Sequence, residues 1–298
     1  MSEELMTVKE LAKYLSLNEK KIYALIKGGD IPCTKMTGKW LFPKKLIDKW
    51  IDDDIRGARV QAGIENITIM GSHDLAIDLL ASDVYELFPQ LIVLSAHIGS
   101  AGGLKTFQRD RTHMAGVHML YPETNEYNLP YLEEYIPDME TVVVHFLYRE
   151  QGIIVKAGNP LGIKGFEDLS RPDVRFINRQ DGAGTRMLLD HHLKRLGMDC
   201  RPIKGYDDYV STHTEVALAI RIGRADAGLG LRAAAFAFGL DCIPVTKERY
   251  DFVIPREYFY TQPVQEFLEV IRSEHFKRKI AQMEGYDITD TGTVISWK

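Results

Sequence analysis

The chain has 298 residues, 45% hydrophobic and 27% charged, with 37 Lys+Arg against 42 Asp+Glu for a net charge of −5. That is ordinary globular composition, enough for about two domains, and it excludes a disordered, collagenous or coiled-coil chain. Runs such as Thr141–Val144 and Arg232–Phe236 fall far short of the ~20 apolar residues a spanning helix needs. Met1-Ser2-Glu3-Glu4 offers no basic or apolar leader region, so a cytoplasmic protein without membrane contact is expected. Cys33, Cys200 and Cys242 are widely spaced and form no CxxC pair, so no disulfide framework is expected.

Charge divides the chain unevenly. Leu5 to Ile51 holds ten lysines, no arginine and four acids, a net +6. Asp52-Asp53-Asp54 and a glycine-containing stretch without apolar period follow, so the chain reads as a basic head over 1–54, a linker over 55–63 and an acidic body over 64–298.

In the head, Thr7-Val8-Lys9-Glu10 is a capping box opening a helix with Val8, Leu11, Ala12 and Leu15 on one face. Asn18 caps a second helix, Glu19 to Lys27, which Gly28-Gly29 stops. Two strand-like runs around Thr37-Gly38 form a hairpin, and Pro43 starts a third helix to about Ile51. This is the order of a winged helix-turn-helix. The second helix of such a pair lies in the major groove, which makes Lys20, Lys21, Tyr23 and Lys27 the candidate readers. Lys35 and Lys39 on the wing are candidate phosphate contacts.

The body opens with a strand, Ile64–Met70, then Gly71-Ser72-His73-Asp74 and a helix from Leu75 to Phe88. Leu91–Leu94, His113–Leu120, Thr141–Tyr148 and Gly152–Lys156 read as further strands, and Gly99–Leu104 opens a helix. A second lobe, about 160–253, alternates in the same way: strand Val174–Asn178, helix Met187–Leu196, helix Thr212–Ile222, strand Ala225–Leu229. The pattern predicts an α/β body with a largely parallel sheet and a cleft between two lobes, where strands end and helices begin. Three loops bring backbone N–H groups and hydroxyls to helix starts: Ser72; Ser100 with Gly102; Gly184 with Thr185. Arg186 and Arg179 add positive charge, so together they form a candidate anion cage. His73, Asp74, His113 and His118 lie near the same cleft. Asp74 either caps the following helix or reaches a ligand, which would then carry a donor group. Thr212-His213-Thr214-Glu215 lines the cleft, caps its helix, or does both. His191-His192 diverge on a helix, no His/Cys/Asp spacing matches a structural zinc, and no nucleophile elbow, Walker A lysine or dinucleotide fingerprint is present.

Residues 5–51 resemble the excisionase-type, MerR-related DNA-binding module, through Thr7-Val8-Lys9-Glu10-Leu11-Ala12, Ile22-Tyr23-Ala24-Leu25-Ile26, Gly29-Asp30-Ile31-Pro32 and Trp40-Leu41-Phe42-Pro43. Residues 64 to about 260 resemble the periplasmic-binding-protein-like domain found joined to such heads or to molybdopterin-synthesis proteins. The resemblance is carried by Gly71–Asp74, Gly99–Leu104, His113–His118, Arg149–Gly152, Gly158–Pro160, Asn178–Arg186, Gly223–Gly230 and Glu248–Asp251. Asp181–Arg186 and Gly99–His118 are also similar to tungstate- and molybdate-binding transport proteins. The resemblance implies a two-lobed type II periplasmic-binding-protein-like body on a winged helix-turn-helix head. It implies a non-enzymatic one-component regulator, a homodimer binding DNA and a small anionic effector, with no cofactor beyond molybdate or tungstate as that effector. A pterin-type or other organic anion, a cytosolic enzyme on the binding-protein fold, and an architectural DNA binder whose body only dimerises are the alternatives.

Overall fold

Thr7 opens the first helix as its spacing predicts. The Glu10 N–H donates to Thr7 Oγ1 at 3.4 Å and the Thr7 N–H donates back to the Glu10 carboxylate at 2.8 Å. The computed structural model describes residues 5–15, 17–28, 31–36, 38–48, 50, 65–107 and 112–298. The chain divides into two compact units, Met1–Ile64 and Glu65–Lys298.

The first unit runs β1 (Leu5–Thr7), α1 (Val8–Tyr14), α2 (Glu19–Gly28), β2 (Thr34–Met36), β3 (Lys39–Pro43) and α3 (residues 44–48). Asn18 Oδ1 accepts the Lys21 N–H at 2.8 Å and so caps α2. The sheet order is β1-β3-β2, antiparallel throughout. Met6, Leu11, Ala12, Ile22, Ile31, Phe42 and Ile47 fill its core. Pro43 differs from expectation: it ends β3 opposite Leu5, and the third helix starts one residue later. Gly29, Thr37, the predicted helix end at Ile51 and the linker 55–63 lie outside the described residues.

The second unit begins with β4 (Glu65–Gly71), α4 (Leu75–Leu87), β5 (Leu91–His97), α5 (Ser100–Phe107) and β6 (Met114–Val117). It continues through β7 (Leu120–Tyr121), β8 (Glu126–Tyr127), α6 (Leu129–Tyr135) and β9 (Thr141–Val155). Then come β10 (Phe176–Arg179), α7 (Gly184–Arg195), β11 (Tyr209–Val210), α8 (His213–Arg221), β12 (Ala227–Leu231), α9 (Arg232–Ala237) and β13 (Asp241–Pro255). It ends with α10 (Arg256–Phe259), α11 (Gln262–Arg272), α12 (Glu274–Ala281), β14 (Tyr286–Asp287) and β15 (Val294–Trp297). The main sheet is ordered β11-β10-β12-β9-β13-β6-β4-β5, with β14 and β15 also pairing β9. Strands β4, β5 and β6 are mutually parallel, as are β10, β11 and β12, and the antiparallel pair β9·β13 joins the two sets.

That pair makes the body two-lobed. Each strand has 15 residues, about 50 Å if straight, more than one lobe's sheet needs. Its Tyr148–Val155 and Asp241–Arg249 ends serve β12 and the second lobe; its other ends serve β6, β15 and the first lobe. Each lobe has helices on both sheet faces and hence two core clusters, one around Phe146, Phe252 and Phe267 and one around Leu104 and Val143 in the first, with Leu189 and Leu229 or Ile177 and Val216 in the second. The separate strands expected at Thr141–Tyr148 and Gly152–Lys156 are one strand, because Arg149-Glu150-Gln151 interrupts the apolar pattern and not the backbone. The long β13 was not expected: its half Asp241–Arg249 is polar in sequence and pairs β9 residue for residue across a bulge at Pro244/Thr246.

Candidate functional site

Where β9 and β13 pass between the lobes, they carry ionic side chains into the interior. Arg149 is 1% exposed. Its Nε donates to Glu248 Oε1 at 2.5 Å, and its Nη1 donates to Asp74 Oδ2 at 2.5 Å and to the His73 carbonyl at 3.1 Å. Glu248 also accepts from Gln151 Nε2 at 2.5 Å and meets His118 Nδ1 at 2.9 Å. His118 Nε2 in turn lies 2.6 Å from Ser72 Oγ, while the His118 N–H donates to Ser100 Oγ at 3.2 Å. Tyr286 donates to Asp74 Oδ1 at 2.9 Å, and Tyr250 donates to the Ser72 carbonyl at 2.7 Å with its ring under Arg149. Burial alone would raise the Glu248 carboxyl; Arg149 and His118 outweigh it and hold it below its ordinary range. One guanidinium answers both buried carboxylates, so the two depend on it together.

The second lobe closes this cluster from the other side. Arg179, at the end of β10, is 1% exposed; its Nη2 donates to the Ser211 carbonyl at 2.8 Å, and its Nη1 has no partner among the described residues. Burial, then Arg149, lowers its pKa to about 9, the mark of a cation without its own counterion. Thr185 Oγ1, in the first turn of α7, is buried without a partner among the described residues. The Thr212/Glu215 capping box sets His213 at the start of α8, fully buried, with both ring nitrogens unpartnered among the described residues. Its ring centroid stands 5.9 Å from that of His73 and 6.4 Å from that of His118. Burial drives His73 down to about 3, with His97 and Arg179 adding to it. The same cause pushes His213 well below its ordinary value, and it lowers His118 against the pull of Glu248. These imidazoles are neutral at pH 7. The lobes touch at glycines: a Cβ on Gly99 (φ +81) would come 2.9 Å from the Gly182 carbonyl oxygen, and one on Gly184 2.6 Å from that of His118.

A model of the PBP superfamily domain matches residues 81–272, more than half of the chain, and one of a helix-turn-helix domain matches residues 5–54. The chain belongs to the PBP superfamily. The uncharacterized protein YvgK of Bacillus subtilis (strain 168) is 29% identical over 97% of both chains. An uncharacterized Clostridium pasteurianum protein from the 5′ region of a 2Fe-2S ferredoxin gene is 32% identical, over 37% of this chain and 98% of its own. Among solved structures, a putative phosphate ABC transporter substrate-binding protein from Clostridium perfringens, with bound phosphate, matches with TM-score 0.55 at 14% identity. It covers 78% of this chain and 100% of its own. A periplasmic transporter matches with TM-score 0.55 at 11% identity, over 77% and 89%. These likenesses establish the type II binding-protein architecture of the PBP body.

The predicted cleft residues do not all share one place. Ser72, His73, Ser100, Arg179 and Thr185 are in or beside the cluster, and Gly184 sits against His118. Asp74 caps α4 by accepting the Ala76 N–H at 2.7 Å and spends its other oxygen on Arg149. Gly102 lies in α5, where a Cβ would come 3.3 Å from the Ile98 side chain. Arg186 differs too. It lies over the Tyr206 ring at 4.6 Å, pairs with Asp181 at 3.3 Å and points at the Arg179 and Tyr206 carbonyls, so its charge is answered within the second lobe. His113 faces away and accepts the Thr68 N–H at 3.0 Å. Arg149, Gln151 and Glu248 were missed. The available signal was a polar triplet inside an apolar strand, but Arg149 and Glu248 are 99 positions apart and only the β9·β13 register joins them. Of the two jobs considered for Thr212 to Glu215, the capping of α8 is formed by Thr212 and Glu215. No group of three or more His, Cys, Asp or Glu is placed to hold a metal ion among the described residues.

In the head, Lys20, Lys21, Tyr23 and Lys27 are exposed on α2 while Ile22 is buried beneath them. Lys35 and Lys39 are exposed on the wing, with Lys35 Nζ 5.4 Å from the centre of the Trp40 ring. A helix-turn-helix domain implies DNA binding, and no helix among the described residues is long and apolar enough to cross a membrane.

Proposed function

We propose that the protein is a one-component DNA-binding regulator, cytoplasmic and working as a homodimer, whose PBP body takes a small anion between its lobes. The observation that carries the reading is Arg179, a buried cation with one guanidinium nitrogen unpartnered among the described residues, beside Thr185 Oγ1 and neutral histidines from both lobes. A ligand held there touches both lobes, so it stabilises the closed arrangement by its differential contacts and shifts the population toward it. Closure then changes how two heads are spaced on DNA. The protein acts as a binder without catalysis. Its resemblance to oxyanion-binding proteins makes molybdate and tungstate the named candidates, with phosphate beside them because the Clostridium perfringens structure of the same fold holds it.

A thermal-shift panel of these anions on the full chain tests the reading: saturation at 100 Kd adds about 2.7 kcal/mol of stability. Arg179→Gln should abolish the shift while leaving DNA affinity intact. A shift that survives in Arg179→Gln removes the anion site from this cleft. Lys21→Ala should weaken DNA binding and reduce the slope of log K against log salt by about 0.9; an unchanged slope removes α2 from the DNA interface.

A further inference from the structure

The hydrogen-bonding inventory of the cleft narrows what its ligand must offer. The unpartnered, buried polar atoms here are not all donors. Arg179 Nη1 and Arg149 Nη2 can only donate, and they suit negative charge. Gln151 Oε1 can only accept, and Gln151 is 1% exposed. Its orientation is fixed chemically: the Nε2 donates to Glu248 Oε2 at 2.5 Å, and a flipped amide would set a carbonyl oxygen against a carboxylate. His213 adds a second acceptor. Both ring nitrogens are buried and unpartnered among the described residues, and a neutral imidazole carries one N–H and one lone pair. The two side chains belong to one constellation, since Glu248 ties Gln151 to His118 and the His213 ring lies 6.4 Å from the His118 ring.

The carboxylates supply nothing more. Asp74 is occupied by Arg149, Tyr286 and the Ala76 N–H, and Glu248 by Arg149, Gln151 and His118. A bare tetrahedral dianion, with acceptors only, would satisfy the two arginines and Thr185. It would leave the Gln151 oxygen and one His213 lone pair facing lone pairs.

We propose that the ligand is a small anion bearing its own O–H or N–H donor, the anionic group held by Arg179 and Thr185 and the donor delivered to Gln151 Oε1 and His213. This rests on the small-anion reading above and narrows it by naming the ligand's second requirement, which, of the three anions named there, phosphate alone meets. A site built to receive a hydrogen bond rejects the analogue lacking the donor, because its buried acceptors are left unpaired. Protonated phosphate and hydroxy- or amino-carboxylates meet the requirement at neutral pH; sulfate, molybdate and tungstate do not.

Calorimetric titration of the dialysed full chain at pH 7 tests this with matched probes: phosphate against sulfate, molybdate and tungstate, and lactate against pyruvate. The expected result is that within at least one set the donor-bearing probe binds about ten- to hundredfold tighter than its donor-free partners. Gln151→Met should reduce that preference toward unity while the tighter probe still binds. Equal or tighter binding of the donor-free probes overturns the inference and leaves the small-anion reading standing. No binding by any probe, with Arg179→Gln indistinguishable from the parent, overturns both.

Discussion

Lowering the pH from 7 to 5 should destabilise the body, and His73 sets a calculable part of the loss. Burial among His97, Arg179 and Arg149 lowers its pKa to about 3, whereas an imidazole in the unfolded chain titrates near 6.5. Between those values the unfolded chain binds a proton that the folded chain refuses. Stability therefore falls as the pH drops through the unfolded value, and the slope disappears only near pH 3, where the folded form protonates as well. The slope approaches about 1.4 kcal/mol per pH unit, so moving from pH 7 to 5 removes about 2 kcal/mol through His73 alone. His213 is displaced in the same direction by the same cause and steepens the loss. The Glu248 carboxyl, held below its ordinary range, stays ionised over this interval and adds its own loss only at lower pH. For a body of this size 2 kcal/mol corresponds to roughly 4–8 °C in Tm. Scanning calorimetry at pH 7, 6 and 5 on the parent and His73→Gln measures the difference: the variant should retain about that many degrees over the same interval. Identical pH dependence in the two proteins would refute the claim that His73 is held neutral in the fold.

Two further substitutions probe the same architecture. Arg149→Leu strips Asp74 and Glu248 of their shared buried counterion, and urea unfolding should show a loss of about 3–5 kcal/mol; a loss below about 1 kcal/mol would mean that the carboxylates do not depend on it. Gly184→Ala places a methyl 2.6 Å from the His118 carbonyl oxygen across the lobe contact. Anion affinity should fall at least about tenfold with the circular dichroism spectrum unchanged, and unaltered affinity would show that binding does not need this approach.

The elements written in local chemistry were legible in the sequence. The Thr7/Glu10 and Thr212/Glu215 capping boxes and the Asn18 cap formed where their spacing placed them, because each needs only neighbours three or so positions away. The alternation of strand and helix gave the α/β class for the same reason. The polar half of β13 was illegible, since nothing in Asp241–Arg249 has strand periodicity and its pairing comes from β9 about a hundred positions earlier. The glycine-rich loops pointed to the region of the buried cluster because they sit at helix starts. Which arginine faces the cluster was not decided locally: Tyr206 and Asp181 take up Arg186, and Arg179 is left in the interior. Asp74 likewise drew attention as a charge beside an anion, and its true partner, Arg149, comes from a strand 75 positions away.

Both ends of the body, β4 and β15, belong to the first lobe, and the second lobe is reached and left only through the neighbouring strands β9 and β13. It is therefore a cassette. Opposite residues Gln151 and Thr246 stand in register, so a two-residue turn joining them would bypass the second lobe and leave the first with its own two cores. Read the other way, grafting a different second lobe between the same two positions would replace that lobe's share of the buried cluster without altering the stretch of chain that leads to the helix-turn-helix head. Domain insertions succeed where few connections cross a boundary, so those two points are where one second lobe can be exchanged for another.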